Sequence, residues 1–233
     1  MSSKRNKNIQ NFLVNRNLFA KFDESKYEIP VLWRTKLTID QASKTDIINF
    51  SNIKNENIGN EIIEFFSDDY KLNPLWNSPY NKLEKFKNAL AVLTPDFSIT
   101  PSMKEAQIIE NTYKNRWLGC FYQQYSIDVI PTISWANENT YEICSQGLIK
   151  YNPFAISTVC ANDKNMFIKG FNYFMKRFEP EYVICYGRLL DGMYGKIIQY
   201  NYEDAFKKNK KYETFKLVPT SRFVEIEKSV FNQ

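Results

Sequence analysis

The sequence predicts an α/β protein in which parallel strands alternate with helices in a barrel-like (β/α) fold, closed or incomplete. Short apolar runs of strand length recur along the chain, and segments with helical periodicity lie between them. Because parallel neighbours need a connection long enough to hold a helix, this alternation is typical of parallel sheets. An open, doubly wound sheet is the alternative, since a chain of 233 residues is slightly short for an eightfold barrel.

The predicted strands are short apolar runs, most of them bounded by polar residues or proline. They comprise residues 29–34, 61–66, 89–93, 128–134, 154–160, 182–186 and 196–200. Six or seven strands in one chain are enough for either form of the fold.

Helices are predicted between these strands. The clearest lies within residues 100–126, where apolar residues recur every three or four positions: Ala106, Ile109, Tyr113, Trp117 and Phe121. A second, within residues 162–180, presents a face of phenylalanines and ends before Pro180, because proline cannot continue a helix. A third opens at Ser78 and Pro79, and a fourth begins near Asn139 and ends near Gly147.

Basic residues are concentrated at the two ends of the chain. Residues 1–22 contain five basic residues and no acidic one, and residues 203–233 contain seven basic residues against five acidic ones. We therefore divide the chain into a basic N-terminal extension (1–28), a single α/β domain (29–202) and a basic C-terminal extension (203–233). Such ends can contact nucleic acid phosphates, although solvated tails that aid solubility have the same composition.

The residue types that are absent exclude several classes of chemistry. The chain contains no His, which rules out Ser-His-Asp catalysis, Cys-His catalysis and His-ligated metals within it. Cys120, Cys144, Cys160 and Cys185 lack the paired spacing of a zinc site, and no nucleotide-cofactor motif occurs. We expect reduced core thiols, no signal peptide and no membrane span, and hence a cytoplasmic protein.

Polar residues collect where the predicted strands end, at the face where α/β folds bind ligands. In chain order these strand ends supply Arg34, Asp68, Asp69, Asp96, Ser98, Ser134, Trp135, Asn137, Glu138, Tyr186 and Arg188. The opposite strand ends carry single flanking polar residues. The concentration of polar residues at the carboxyl ends of the strands therefore favours one common site there.

These residue types match a site for a phosphate-bearing ligand. The three aspartates Asp68, Asp69 and Asp96 offer the oxygen ligands that Mg²⁺ or Mn²⁺ prefers, and Asp96 and Glu138 are the candidate catalytic carboxylates. Substrate binding is assigned to residues that can form hydrogen bonds or stack on a base: Arg34, Ser98, Trp135, Asn137, Tyr186 and Arg188. Each aspartate taken singly is also a common turn or helix-capping residue, and Trp135 is of a type that often packs in a core.

Four phrases of the sequence are long enough to be specific: EFFSDDY, LTPDFSI, NRWLGCFYQQYSIDVIPTISWANE and YVICYG. In this order they resemble phrases of a bacterial family known only as a domain of unknown function, which occurs largely in phages, plasmids and integrative elements. The resemblance spans about residues 29–190. It implies a phage or mobile-element context, and it carries no catalytic residue with it.

Two functions stay open on this basis. The first is a divalent-cation-dependent enzyme, such as a hydrolase, that acts on a nucleotide or nucleic acid phosphate. The second is a non-enzymatic protein, for example in counter-defence, that binds nucleic acid through its basic ends or a host protein through an aromatic-rich surface. Polar strand ends in α/β folds commonly form small-molecule sites, which favours the enzyme, although fold alone does not establish function.

Overall fold

The structure, a computed structural model, describes residues 12, 14–53, 59–159, 161–201 and 223–227, which contain eight strands and six α-helices. α-Helices separate the strands from the second to the sixth, whereas the last three strands follow one another with no described helix between them. The strands are β1 (Asp46–Asn49), β2 (Glu61–Glu64), β3 (Ala91–Leu93), β4 (Val129–Ile130), β5 (Phe154–Ser157), β6 (Val183–Tyr186), β7 (Gly195–Tyr200) and β8 (Phe223–Ile226). The helices are α1 (Ile39–Ser43), α2 (Asp69–Asn77), α3 (Leu83–Phe86), α4 (Glu105–Gln123), α5 (Glu138–Cys144) and α6 (Lys164–Phe178). Short 3₁₀ helices occupy Lys26–Glu28 and Phe50–Asn52.

The strands lie side by side in chain order. β1 to β4 form a parallel sheet, and in the second sheet β5, β6 and β7 are parallel while β8 runs antiparallel to β7. Main-chain hydrogen bonds from Ile133 N to Ala155 O and from Ala155 N to Pro131 O, both 2.8 Å long, join the two sheets. The predicted α/β class with parallel strands is confirmed.

The array of strands curls but does not close. β2 and β6 are four places apart in the strand order, yet the ring of Phe66, just after β2, stacks on Tyr186 of β6 with 5.0 Å between ring centroids. Within the described residues no pairing joins β1 to β7, because β8 occupies the second edge of β7. The Tyr200 hydroxyl spans this gap by donating to Ala42 O at 2.8 Å and Thr45 O at 2.9 Å. The closed barrel is therefore not formed, and the described strands make an open array.

Alternate residues of the second sheet face two different hydrophobic clusters. Ala155, Ile184 and Ile198 belong to the cluster that also contains the buried residues of β1 to β4. Their neighbours along the strands, including Phe154 and Val183, pack instead with the buried phenylalanines of α6. This alternation has the period of two expected of a sheet, and it places an inner face toward the first sheet and an outer face toward the helices.

The first predicted strand, residues 29–34, was wrong. Its main chain is extended, and Leu32 N donates to Gly147 O at 3.0 Å instead of pairing in a sheet. The fully buried Leu32 packs against Gly119 of α4, so the apolar run belongs to a segment that covers a helix. The first strand of the sheet is β1. The elements that were not predicted are β1, β8, α1 and α2.

The remaining predicted strands and helices occur with shifted ends. α6 shows why its ends could be predicted: Asp163 accepts a hydrogen bond from Met166 N at 2.9 Å, and Glu179 adopts a left-handed conformation directly before Pro180. The predicted core thiols Cys120, Cys144 and Cys185 are free and buried, whereas Cys160 lies outside the described residues. The basic residues within 1–11 and the run 207–211 also lie outside them. Among the described helices, none has the length and apolar character needed to cross a bilayer.

Candidate functional site

A cleft of about 730 Å³ opens at the carboxyl ends of the strands. The segments that follow β2, β3, β4 and β5 line it, together with the first turn of α6 and the end of β6. Six of the residues predicted at the strand ends contribute to its lining: Asp68, Asp96, Ser98, Ser134, Trp135 and Tyr186. Parallel strands in chain order bring their carboxyl ends to one edge, which is why residues far apart in sequence meet here.

Asp96 is the partly buried carboxylate of this cleft. It accepts a hydrogen bond from the Ser134 hydroxyl, which follows a different strand, so the side chain does not simply cap its own turn. Burial raises the pKa of Asp96 to about 6 against the opposing effect of the Ser134 hydrogen bond. The negative charge of Asp69 raises this pKa further, and the positive charge of Arg116 lowers it.

Asp69 and Asp68 lie at the start of α2, beside Asp96. Asp69 Oδ1 accepts hydrogen bonds of 3.0 Å from both the main-chain nitrogen and the hydroxyl of Ser98, which ties the loop after β3 to this helix. The Asp68 side chain makes no capping hydrogen bond and forms an exposed ion pair of 3.4 Å with Lys71. Of the three predicted metal-binding aspartates, Asp68 and Asp96 thus line the same cleft, whereas Asp69 does not line it and is linked to Asp96 through its charge. Among the described residues no group of three or more His, Cys, Asp or Glu side chains has the arrangement of a metal site.

Glu64, a carboxylate that we did not predict for the site, lies beneath the cleft. It is 0% exposed at the end of β2 and accepts hydrogen bonds from Asn49 Nδ2 at 2.7 Å and Phe66 N at 2.6 Å. Burial raises the pKa of Glu64 to about 7, although both hydrogen bonds lower it, and the charge of Asp96 adds to the rise. A charged residue inside an otherwise apolar run was the signal in the sequence that could have revealed it.

Arg116 of α4, also missed by the sequence analysis, is a buried cation behind Asp96. Its side chain is satisfied by main-chain oxygens, donating to Gln146 O at 2.9 Å, Cys144 O at 2.9 Å and Thr132 O at 3.0 Å. Burial lowers the pKa of Arg116 to about 10, and electrostatic interactions with Cys144, Cys120 and Asp96 act against that. Because the guanidinium holds the segment after β4 in place, it positions Ser134 as well as adding positive potential at Asp96.

Two pairs of aromatic rings line the cleft. Phe66 and Tyr186 are stacked, with an interplanar angle of 9°. Trp135 packs on Phe167 of α6, with ring centroids 4.8 Å apart and planes tilted by 40°. A Cβ atom at Gly170 would lie 2.0 Å from Trp135 Nε1, so the indole rests directly on the main chain of α6. Trp135 therefore both packs against the core through α6 and contributes a partly exposed ring to the cleft.

The structure does not bring the other predicted residues into the cleft. The exposed Arg34 donates to Lys150 O at 2.9 Å and Tyr151 O at 2.7 Å, just before β5, and so lies toward the amino ends of the strands. Glu138 is exposed on α5, with Lys169 Nζ 3.8 Å from its carboxylate.

Asn137 and Arg188 also lie outside the cleft lining. The buried Asn137 Oδ1 has no hydrogen-bond partner among the described residues, and its side chain does not cap α5. Arg188 is exposed after β6, and its main-chain oxygen accepts from Thr158 Oγ1 at 2.7 Å. The two predicted arginine contacts to a ligand are thus separated from the aspartates.

Comparison with known proteins finds relatives in phages. The model of a family described as Domain of unknown function (DUF4417) matches residues 22–203. The chain is 33% identical over 178 residues, 74% of its length and 77% of the relative's, to a "Gene 1 protein" of Mycobacterium phage L5. It is 34% identical over 131 residues, 54% of its length and 48% of the relative's, to a "Gene 1 protein" of Mycobacterium phage D29. No solved structure matches.

Proposed function

The chain belongs to the DUF4417 family, whose description names no activity, and from the geometry of the cleft we propose that it is a divalent-cation-dependent enzyme acting on a nucleotide or nucleic acid phosphate. The resemblance to a domain of unknown function with phage members is confirmed, and a role in handling nucleotides suits a phage protein. The position of Asp96 carries the proposal. Its carboxylate lies in the cleft at the carboxyl end of the array, between Ser134 and the Asp69–Ser98 pair.

The cleft is negatively charged, so a phosphate ligand would need a cation in order to bind there. The charged side chains that line it among the described residues are Asp68, Asp96, Asp163 and Lys71, and Lys71 is already paired with Asp68. A phosphate would be repelled by this arrangement. Mg²⁺ or Mn²⁺ bound to Asp96 and Asp69 would reverse the local charge. The ion would also bind a water molecule and a phosphate oxygen side by side.

The hydroxyl groups around Asp96 hold the two carboxylates in position for a cation. Ser134 donates to Asp96, while Ser98 donates to Asp69 through its main chain and its side chain. Both carboxylates are therefore held by donors from other segments, and each retains oxygen lone pairs for a cation. Asp69 is not part of the cleft lining, but its charge acts on Asp96 and its carboxylate holds Ser98, so we include it. Glu138, Arg34 and Arg188 lie outside the lining and have no such connection to Asp96, so the proposal assigns them no role.

Isothermal titration calorimetry with Mn²⁺ tests the proposal. The wild-type protein should bind the cation, and Asp96→Asn should weaken binding at least tenfold while the protein remains folded. Glu138→Gln is the matched control, because this exposed carboxylate lies outside the cleft and should leave the affinity unchanged. Absence of Mn²⁺ binding by the wild-type protein, or equal loss in both variants, would count against a cation site at Asp96.

A second function, association with a host protein, is favoured by exposed aromatic residues near the end of α4. Phe19 is 69% exposed and Tyr80 is 51% exposed. Both rings contact the ring of Tyr125 edge-on. Such exposed aromatic clusters are common at protein interfaces. If this function is correct, a host protein should co-purify at high salt with the wild-type chain and not with Phe19→Ser, while Asp96→Asn should still retain it.

A further inference from the structure

We propose that the region of the cleft between the two aromatic pairs binds the nucleoside part of the ligand, its base and ribose, without any cation. This inference rests on the proposed function, because it names the substrate class of the same site. It divides recognition into two parts: the protein binds the uncharged nucleoside directly, and a cation at Asp96 is needed for the phosphate.

The size of the cleft agrees with a ligand of this class. Its volume of about 730 Å³ lies within the range of small-molecule sites, which bury most of the surface of a ligand of nucleotide size. The lining comes from segments after four different strands and from α6, so the walls stand on several sides of the space. A single nucleoside fits such an enclosure better than the continuous backbone of a nucleic acid.

The aromatic pairs provide faces for a flat ring. Phe66, which stacks on Tyr186, is partly exposed, and so are Trp135 and Phe167 of the second pair. All four rings line the cleft. Neighbouring packing holds these rings in position, since Tyr186 is buried and Trp135 rests on Gly170. A preformed aromatic wall stacks a base with little loss of side-chain freedom.

The polar groups between these walls match the hydrogen bonds of a nucleoside. Serine side chains line the cleft at the ends of several strand segments: Ser67, Ser98, Ser134 and Ser157. Hydroxyl groups both donate and accept, as the edges of bases and the hydroxyls of ribose require. Lys71 is the one basic residue of the lining within the described chain and is paired with Asp68, so direct recognition falls on the ring and the hydroxyls.

The experiment is equilibrium binding of adenosine, guanosine, cytidine and uridine in EDTA, measured by calorimetry and by saturation-transfer NMR. At least one nucleoside should bind, and ribose alone should bind at least tenfold more weakly because it lacks the ring. The 5′-monophosphate of that nucleoside should bind more weakly than the nucleoside in EDTA and gain affinity when Mn²⁺ is added. If no nucleoside of the four binds in EDTA, the inference is overturned.

Variants locate the binding. Phe66→Leu and Trp135→Leu should each weaken nucleoside binding by roughly tenfold or more, since each removes one stacking face. Trp33→Leu is the control, because this tryptophan is 44% exposed and stacks on Phe22 away from the cleft. Trp135 also packs on α6, so Trp135→Leu can prevent folding. In that case the test depends on Phe66→Leu alone. Unchanged affinity in a folded Phe66→Leu protein would contradict binding between the aromatic pairs.

The two proposals fail in different ways. Nucleoside binding in EDTA without any Mn²⁺ binding would retain this inference and remove the cation-dependent function. Mn²⁺ binding that is lost in Asp96→Asn, without binding of any nucleoside, would retain the cation site and remove the nucleoside assignment.

Discussion

At the scale of single residues, the interior beneath the cleft contains two carboxylates whose charged forms are disfavoured. Glu64 is fully buried and Asp96 is partly buried, and burial raises the pKa of both carboxyl groups. The charge of Asp96 raises the pKa of Glu64 further, and the charge of Asp69 does the same for Asp96. Arg116 provides the compensating positive charge but forms hydrogen bonds to main-chain oxygens and not to these carboxylates. Such groups titrate near neutral pH and are typical of functional sites.

The stability of the protein should therefore fall as the pH rises toward neutrality. The pKa of Glu64 is raised to about 7 in the folded state, so between its ordinary pKa and that value the folded chain binds more protons than the unfolded chain. The free energy of unfolding then decreases from about pH 5 to pH 7, by up to ~3 kcal/mol from this group. Asp96, with a pKa raised to about 6, contributes in the same direction at slightly lower pH.

Glu64→Gln should flatten this pH dependence. The amide has one acceptor oxygen, so it keeps only one of the two hydrogen bonds from Asn49 Nδ2 and Phe66 N, which lowers stability, but it cannot titrate. Chemical denaturation at a series of pH values measures the slope. Glu110→Gln, an exposed carboxylate paired with Lys114 on α4, should keep the wild-type slope, and an unaltered slope in Glu64→Gln would refute the role of its burial.

Much of the site could be predicted from residue types at strand ends, because parallel strands converge there whatever their exact pairing. Asp68, Asp96, Ser98, Trp135 and Tyr186 meet in the cleft for this reason. Arg34 was misplaced because it follows a segment that is not a strand. Glu64 and Arg116 were missed because their importance comes from burial, which depends on packing between elements far apart in sequence.

At the scale of elements, helices with clear caps and long periodicity were predictable, and strands without a distinct apolar run were not. α6 and α4 have long apolar patterns, whereas β1 contains two isoleucines between polar residues and β8 lies far from its neighbours in the chain. The apolar segment at residues 29–34 has the composition of a strand but covers α4 instead. Local composition does not distinguish a segment that joins a sheet from one that packs on its outside.

The contact between α6 and Trp135 makes Gly170 a sensitive position. In an exposed helix, Gly→Ala gains up to ~1 kcal/mol of stability, because alanine has the higher helix propensity. At Gly170 the added methyl group would meet Trp135 at 2.0 Å, so Gly170→Ala should instead lower stability by about 1–3 kcal/mol.

Thermal unfolding and tryptophan fluorescence measure this effect. Asn172→Ala, at an exposed position of the same helix, should be neutral or slightly stabilising. A Gly170→Ala protein as stable as Asn172→Ala, with unchanged fluorescence, would show that Trp135 does not rest on the helix in solution.

At the scale of the whole molecule, the strand array is open because β8 occupies the edge of β7 that would otherwise approach β1. The buried Tyr200 hydroxyl, bonded to Ala42 O and Thr45 O, connects the two ends of the array. The carboxyl-end cleft depends on this curled arrangement, since Phe66 and Tyr186 come from opposite parts of it.

Tyr200→Phe should destabilise the protein by about 1 kcal/mol, because it removes the hydroxyl whose proton the main-chain oxygens of Ala42 and Thr45 accept. Urea denaturation measures the loss. Tyr151→Phe, at a residue that is 52% exposed, should change stability by no more than about 0.5 kcal/mol. Equal stability of the two variants would mean that Tyr200 does not hold the ends of the array together.

The most direct test of the central claim, that the carboxyl-end cleft is a cation-dependent functional site around Asp96, is Mn²⁺ line broadening in the ¹⁵N NMR spectrum. At low Mn²⁺ the signals of Asp69, Ser98 and Ser134 should broaden first, and Asp96→Asn should abolish that pattern. Broadening that centres on exposed acids such as Glu138, or that persists around Ser98 and Ser134 in Asp96→Asn, would contradict the claim.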